Sequence, residues 1–214
     1  MPAVRLSEAN EAIIAAGRRL GARGLISAGE GNLSIRVDGG RVAITASGRR
    51  KDELGDDDVV LLGPDLAEEA ARAARSTSGL GPSSDLRIHL AIHAARPDVA
   101  AVAHAHLPAA MALTVAGEIP DPAMLPETAL FLPRIPFLPF GEPGSRDLAD
   151  RVAAALTEPP EPFANVVLLE RHGAVAVGLD LEAAVDRLEL LEVLCRTWRD
   201  SLLIRAARMA GRTK

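Results

Sequence analysis

Ala100-Ala101-Val102-Ala103-His104-Ala105-His106 is the stretch around which this chain is organised. It is an apolar run of the kind that forms a buried strand, and side chains alternate between the two faces of a strand, so His104 and His106 point the same way. Two imidazoles on one face of a rigid strand can hold a divalent metal, whose ring-nitrogen bonds run to about 2.0–2.1 Å for zinc. The same pattern also suits two histidines that are simply hydrogen-bonded where the strand ends. The flanking sequence has to decide between these readings.

Immediately upstream, Ser83-Ser84-Asp85 opens a helix that runs to about Ala95 and stops at Arg96-Pro97. Asp85 is expected in its first turn, where an acid complements the helix dipole. This helix carries a second pair, His89 and His93, four residues apart and therefore on one face. Metalloprotease helices place Glu after the first His, whereas this chain has Leu90, so His89 and His93 read as packed or surface histidines. Further back, Leu33–Val37 and Arg41–Thr45 form a hairpin about Asp38-Gly39-Gly40, preceded by Gly29-Glu30-Gly31-Asn32 and followed by the small-residue turn Ala46-Ser47-Gly48. Glycine-rich turns of this kind expose backbone N–H groups that can cradle an anion, or merely reverse the chain. An N-terminal helix spans Ser7 to about Leu20, with Ser7 suited to the cap and Gly21 to the stop. A strand covers Val59–Leu62, and residues 63–81 read as a short helix or a loop.

Downstream, Pro108 starts a helix that ends near Ala116, and a proline-rich segment from Ile119 to Pro143 is expected to contain short extended pieces at Phe131–Pro133 and Ile135–Phe137. Asp147–Leu156 is an amphipathic helix. Asn165–Leu169 and Ala174–Val177 are strands joined through Glu170-Arg171-His172-Gly173, which places His172 at an exposed hairpin tip where packing does not explain it. It is the natural third ligand for the histidine strand. One or two long helices follow from Leu181 to about Met209. Strands and helices alternate throughout, which suggests a layered α/β domain.

The 214 residues suffice for one sizeable core, built from Ala, Val, Leu and Ile, since there are four Phe, one Trp and no Tyr. A net charge of −5 gives no electrostatic basis for binding nucleic acid or an anionic membrane. The single cysteine, Cys195, excludes an intramolecular disulfide and suits a reducing cytoplasm. No apolar run reaches the length of a membrane span, and charged residues interrupt the first twenty positions, unlike a signal peptide. The expectation is a soluble, cytoplasmic protein.

With Gly31-Asn32-Leu33-Ser34-Ile35-Arg36, Ile44-Thr45-Ala46-Ser47-Gly48, Pro82-Ser83-Ser84-Asp85, His104-Ala105-His106 and Arg171-His172-Gly173 in this order, the sequence resembles the class II aldolase/adducin family from about Ile13 to the C-terminal helices. The resemblance implies a single three-layer α/β/α domain over residues 1–214 around a central, mostly antiparallel sheet, assembled as a homotetramer with active sites between subunits. It implies a divalent metal, zinc above all, held by Asp85, His104, His106 and His172. It further implies an anion-binding surface made of Gly31, Asn32, Thr45, Ser47, Gly48, Ser83 and Ser84. The activity it implies is cleavage of a hydroxy-ketone sugar or sugar phosphate through a metal-stabilised enediolate. Alternatives on the same platform are 4-epimerisation, dehydration of a ketose phosphate and decarboxylation of a 3-oxo acid. The family's adducins lack the metal histidines, so a non-catalytic scaffold is disfavoured.

Three residues depart from the family's aldolase pattern. Asp85 replaces a Glu that is one methylene longer. A loop tyrosine that handles the aldehyde oxygen has no counterpart, which leaves Glu127 as the ionisable residue of Met124–Thr128 and the expected acid/base. Glu30 stands where Thr is usual in a turn one residue shorter, and its charge beside an anion calls for compensation from Arg49, Arg50 or Lys51.

Overall fold

The computed structural model describes residues 4–65 and 81–211, so most of the 63–81 segment lies outside the described residues. Its framework is a seven-stranded sheet in the order β3-β2-β1-β4-β7-β6-β5, with β1 Asn32–Val37, β2 Arg41–Thr45, β3 Val59–Leu62, β4 Ala101–Ala105, β5 Phe137–Leu138, β6 Val166–Leu169 and β7 Gly173–Gly178. Every neighbouring pair is antiparallel except β5 and β6. The β4 strand is central because its Ala and Val side chains are small and apolar on both sides, and it pairs with β1 (Asn32 opposite His104) and β7 (His104 opposite Val175).

Alternation along these strands sorts the core into two layers. Leu33, Ile35, Val37, Ala101, Ala103, Ala105, Ala174 and Ala176 face α1 (Leu6–Ala22), α3 (Pro108–Val115) and α6 (Leu181–Gly211). The opposite parity, Val102, Val167, Val175 and Val177, packs on α2 (Leu86–Ala95) and α5 (Arg146–Ala155), and Val42 and Ile44 meet Leu86 and Leu90 of α2. The expected three-layer α/β/α architecture with a mostly antiparallel sheet is therefore present. His104 has the parity of Val102, so it points toward the α2 layer.

Several local expectations are corrected. The first helix begins at Leu6, where the Glu8 carboxylate accepts the Arg5 backbone N–H at 3.1 Å. It continues past Gly21 to Ala22, and Gly24 beyond the cap, with φ of 65°, permits the closing Leu25 N–H to Leu20 carbonyl bond at 3.0 Å. Asp85 sits one step before α2, at its cap position, rather than inside the first turn. Phe131 is the last residue of a short helix, α4 (Pro126–Phe131), not extended chain; the preceding Pro at the first helical position and the Thr128 hydroxyl bonds to the Pro122 and Leu125 carbonyls favour this turn. The C-terminal segment is one helix. Its buried Glu192 caps α3 by accepting the Ala109 and Ala110 N–H groups at 3.0–3.2 Å, which fixes the chain just beyond His106. No helix among the described residues is long and apolar enough to cross a membrane.

Candidate metal centre

Three chain segments converge at the C-terminal end of β4. His104 lies in the strand, His106 one residue beyond it, and His172 in the β6–β7 turn. Their ring centroids form a triangle with sides of 5.0, 4.8 and 5.1 Å, and one ring nitrogen from each lies within 4.8 Å of the others. The turn owes this approach to Gly173, whose φ is 126° and where a Cβ would lie 2.3 Å from the Ala105 carbonyl oxygen. Any other residue would push His172 off β4. His172 is consequently buried at 8 % exposure, not an exposed tip as the hairpin pattern suggested. Gly31 performs the same service on the other side of β4: at φ 74°, its missing Cβ would stand 2.8 Å from the His104 carbonyl oxygen.

The protonation pattern of the centre follows from its bonds. His104 Nδ1 lies 3.0 Å from the Ala174 carbonyl, which can only accept, so Nδ1 carries the hydrogen and Nε2 is bare. Burial drives the His104 pKa down to about 3, so the ring is neutral at physiological pH. Burial likewise lowers that of His172. The bare His104 Nε2 faces His106 Nε2 at 3.1 Å. Asp85 Oδ2 approaches to 3.8 Å from His104 Nε2 and 4.0 Å from His172 Nε2. Burial pushes the Asp85 carboxyl up, but the imidazoles of His104 and His172 and the Asn32 amide outweigh it, and the carboxyl lies below its ordinary range. Two buried atoms here, Asp85 Oδ1 and His172 Nδ1, have no hydrogen-bond partner among the described residues. Ligands about 2.1 Å from a tetrahedral ion stand roughly 3.4 Å apart. The bare His104 Nε2, with the ring nitrogens of His106 and His172 and the Asp85 carboxylate gathered at such separations, forms a donor set that fits a divalent cation.

Around this centre the residues expected to hold an anion divide into two groups. The Ala46–Gly48 turn lies against the segment before α2 through an Ala46–Pro82 bridge and the Ser47 N–H to Gly81 and Ser83 N–H to Thr45 carbonyl bonds. Gly29 packs beside Gly48. Ser47, Gly48 and Ser84 are exposed there. Thr45 and Asn32 are turned inward: the Thr45 hydroxyl accepts the Leu33 N–H at 3.2 Å, and Asn32 Nδ2 donates to Asp85 Oδ2 at 3.0 Å. Ser83 is buried, and its hydroxyl accepts the Asp85 N–H at 3.3 Å.

The charges near Glu30 are already engaged. Arg49 pairs with Asp58, Arg50 with Asp52 and Glu53, and buried Lys51 donates to the Gly29 and Arg49 carbonyls. Glu30 itself accepts the Ser27 N–H at 3.1 Å, and its other oxygen faces His106 Nδ1 at 3.5 Å. Glu127 is exposed near the start of α4. Within the described residues of one chain, no hydrogen bond or ion pair links it to the histidine centre. His89 and His93 are packed, at 0 and 1 % exposure, and take no part in the triangle. They bind Ser34 and, through Asn32, reach Asp85. The sequence signal for this link was the polar parity of β1, where Asn32, Ser34 and Arg36 alternate with Leu33, Ile35 and Val37.

Comparison with known proteins identifies the family and the fold. Residues 11–199 match the family model described as the class II aldolase and adducin N-terminal domain. A methylthioribulose-1-phosphate dehydratase of Acidiphilium cryptum (strain JF-5) is 34 % identical over 200 residues, covering 89 % of each chain. A 3-oxo-tetronate 4-phosphate decarboxylase of Haemophilus influenzae is 30 % identical over 187 residues, covering 85 % of this chain and 82 % of that one. Among solved structures, an L-fuculose-1-phosphate aldolase from Thermus thermophilus superposes with a TM-score of 0.76 at 29 % identity, over 92 % of this chain and 95 % of that one. The relatives differ in reaction but share a fold, and with the family model spanning nearly the whole sequence, this chain belongs to the class II aldolase and adducin family.

Proposed function

We propose that this chain is a metal-dependent lyase that acts on a ketose phosphate, with aldol cleavage as its leading reaction. One observation carries the reading: the bare His104 Nε2, the His106 Nε2 3.1 Å from it, and Asp85 Oδ2, 3.8 Å from His104 and 4.0 Å from His172, gather at the rim of the sheet. His104, His106, His172 and Asp85 would hold the divalent ion, with zinc favoured by the nitrogen-rich donor set. When bound, the ion supplies Lewis acidity toward a substrate carbonyl.

The protein's own groups do the rest. The Ala174 carbonyl keeps the His104 hydrogen on Nδ1, so Nε2 always presents its lone pair inward. Asp85 Oδ1, the oxygen not held by Asn32, takes or returns the proton beside the substrate carbonyl. The exposed Ser47, Gly48 and Ser84, with the backbone of Gly31, receive the substrate anion. Glu127 serves the departing oxygen, reaching a neighbouring subunit's centre in a homotetramer. A second reaction, dehydration of a ketose phosphate, is favoured by the absence of any tyrosine and by the dehydratase name of the 34 % identical relative.

Metal-replete protein incubated with a panel of ketose phosphates and sugar acids, read by mass spectrometry, separates these outcomes. Two smaller products report cleavage, and loss of water reports dehydration. Absence of turnover on the whole panel overturns the lyase reading.

A further inference from the structure

His89 and His93 are buried, titratable and unused by the metal centre. We propose that Ser34, His89 and Asn32 form a one-way hydrogen-bond chain, originating at His93, that positions Asp85. The proposal rests on the reading of Asp85 as a metal ligand or base.

The direction of the chain is fixed at its acceptor end. An ionised carboxylate can only accept, so Asn32 must turn its Nδ2 toward Asp85 Oδ2, 3.0 Å away. The reversed amide would set two acceptors against each other. Asn32 Oδ1 therefore faces His89 Nε2, and that nitrogen must carry a hydrogen. A neutral ring protonated at Nε2 has its lone pair on Nδ1, which lies 2.7 Å from Ser34 Oγ and takes the single hydroxyl hydrogen. The Ser34 oxygen can then accept from His93 Nε2 at 2.9 Å. Each donor is used once. The unpaired lone pair at the end of the series falls on His93 Nδ1, a buried atom with no partner among the described residues.

Burial holds both rings in the neutral form that this scheme requires: it brings His89 down to about 4 and His93 well below its ordinary range. The consequence for the centre is specific. An amide that could sit either way round is locked with its N–H toward Oδ2, which leaves Asp85 Oδ1 as the free oxygen. Ser34, His89 and Asn32 are thus positioning residues, in the way outer partners orient metal-binding side chains.

Nitrogen-detected NMR of the zinc-free protein tests the direction directly, with His89 and His93 both expected as neutral Nε2–H tautomers. A Nδ1–H tautomer at His89 overturns the chain. Zinc affinity, measured against a competing chelator, tests its consequence. His89→Leu is expected to bind zinc 10–100-fold more weakly. His89→Gln, which can still offer an N–H to Asn32, should recover most of that loss. Should His89→Leu not fold, Asn32→Asp, of nearly the same shape but with an acceptor facing Asp85, should lose at least tenfold. A wild-type protein that binds no zinc overturns the metal reading itself. Wild-type binding that none of the folded variants weakens overturns the positioning chain alone.

Discussion

Two pairs of histidines lie on the same side of the sheet, and their fates differ. His104 and His106 come to one face through the two-residue period of a strand, and His89 and His93 through the four-residue spacing of a helix. Both pairs satisfy a common metal-site spacing. The helix pair is fully buried and shares the Ser34 hydroxyl between its rings, with His93 Nδ1 the one ring nitrogen of the pair that lacks a partner among the described residues. The strand pair has one outer nitrogen bound to a carbonyl and its inner nitrogens directed at each other. Periodicity selects the face, and the partner atoms available on that face select the chemistry.

Removing a ligand breaks the comparison most severely. Zinc-loaded protein should hold about one ion per chain, and His104→Ala or His172→Ala should abolish that stoichiometry. Turnover should fall on the order of 10³-fold, the several kcal/mol a Lewis acid supplies. His93→Leu should keep the stoichiometry. Elemental analysis of the three variants is decisive: metal retained by both alanine variants, or lost from His93→Leu, would place the ion elsewhere.

The buried helix pair should declare itself through acid sensitivity instead. The His89 pKa is about 4 in the native state, where burial dominates and the charge of Asp85 pulls it back only in part, against about 6.5 unfolded. Below pH 6.5 the unfolded chain therefore binds a proton that the native chain refuses. Stability is fully present above pH 6.5 and declines as pH falls toward 4, by about 3 kcal/mol for this ring. His93 acts in the same direction. Urea unfolding of zinc-free protein between pH 7 and 4.5 should show a shallower decline for His89→Gln than for wild type. Parallel curves would mean that His89 is protonated or hydrated in the folded state.

Asp85 is buried and tied to the centre, whereas Glu127 is exposed on α4. If Glu127 moves the second proton, Glu127→Gln should leave zinc content and assembly intact and lower kcat by about 10²-fold, within the usual range for a positioned acid or base. A near-normal kcat would remove Glu127 from the chemistry. Sedimentation of a one-to-one mixture of Glu127→Gln and His104→Ala chains, paired with its activity, would show whether the acid crosses between subunits, since only then can mixed assemblies regain turnover.

The parts legible in the sequence were those set by short-range periodicity and by glycine. Val102, His104 and the apolar residues of β7 alternate as strands must, and the Asp38-Gly39-Gly40 turn set the register Val37 to Arg41. Gly173 beside His172 marked the turn. The illegible parts depend on long-range pairing. Nothing local to Arg171-His172-Gly173 says that this tip folds against Ala105, so its burial could not be read. The inward direction of Asn32 follows from its register opposite His104, and its partners lie 53 and 57 positions away. Asn32 therefore read as part of an anion cradle when its side chain serves Asp85. The Ser34–His89–His93 contact has the same character: each residue was unusual alone, and only the packing of α2 on β1 gives them a common role.

The smallest effect sharpens the boundary between metal centre and substrate pocket. Glu30 occupies a position where its carboxylate could repel a substrate anion or steady His106 from behind. Its geometry favours the second: one oxygen is held by the Ser27 N–H, and the other faces His106 Nδ1 at 3.5 Å, on the side of the ring opposite the nitrogen that meets His104. That contact is longer than a hydrogen bond, and the Glu30 side chain is 38 % exposed, so solvent screens it. Glu30→Thr should therefore weaken zinc binding at the low end of the outer-partner range, by about tenfold or less. The same variant removes one negative charge near the turns proposed to bind an anion and should tighten inhibition by inorganic phosphate a few-fold at low ionic strength, with the gain vanishing as salt is raised. The two measurements pull apart the two roles. Tighter phosphate binding with unchanged zinc affinity would show that Glu30 filters substrate charge, and that His106 is oriented by the β4 backbone and the Glu192-capped helix behind it without help from the turn.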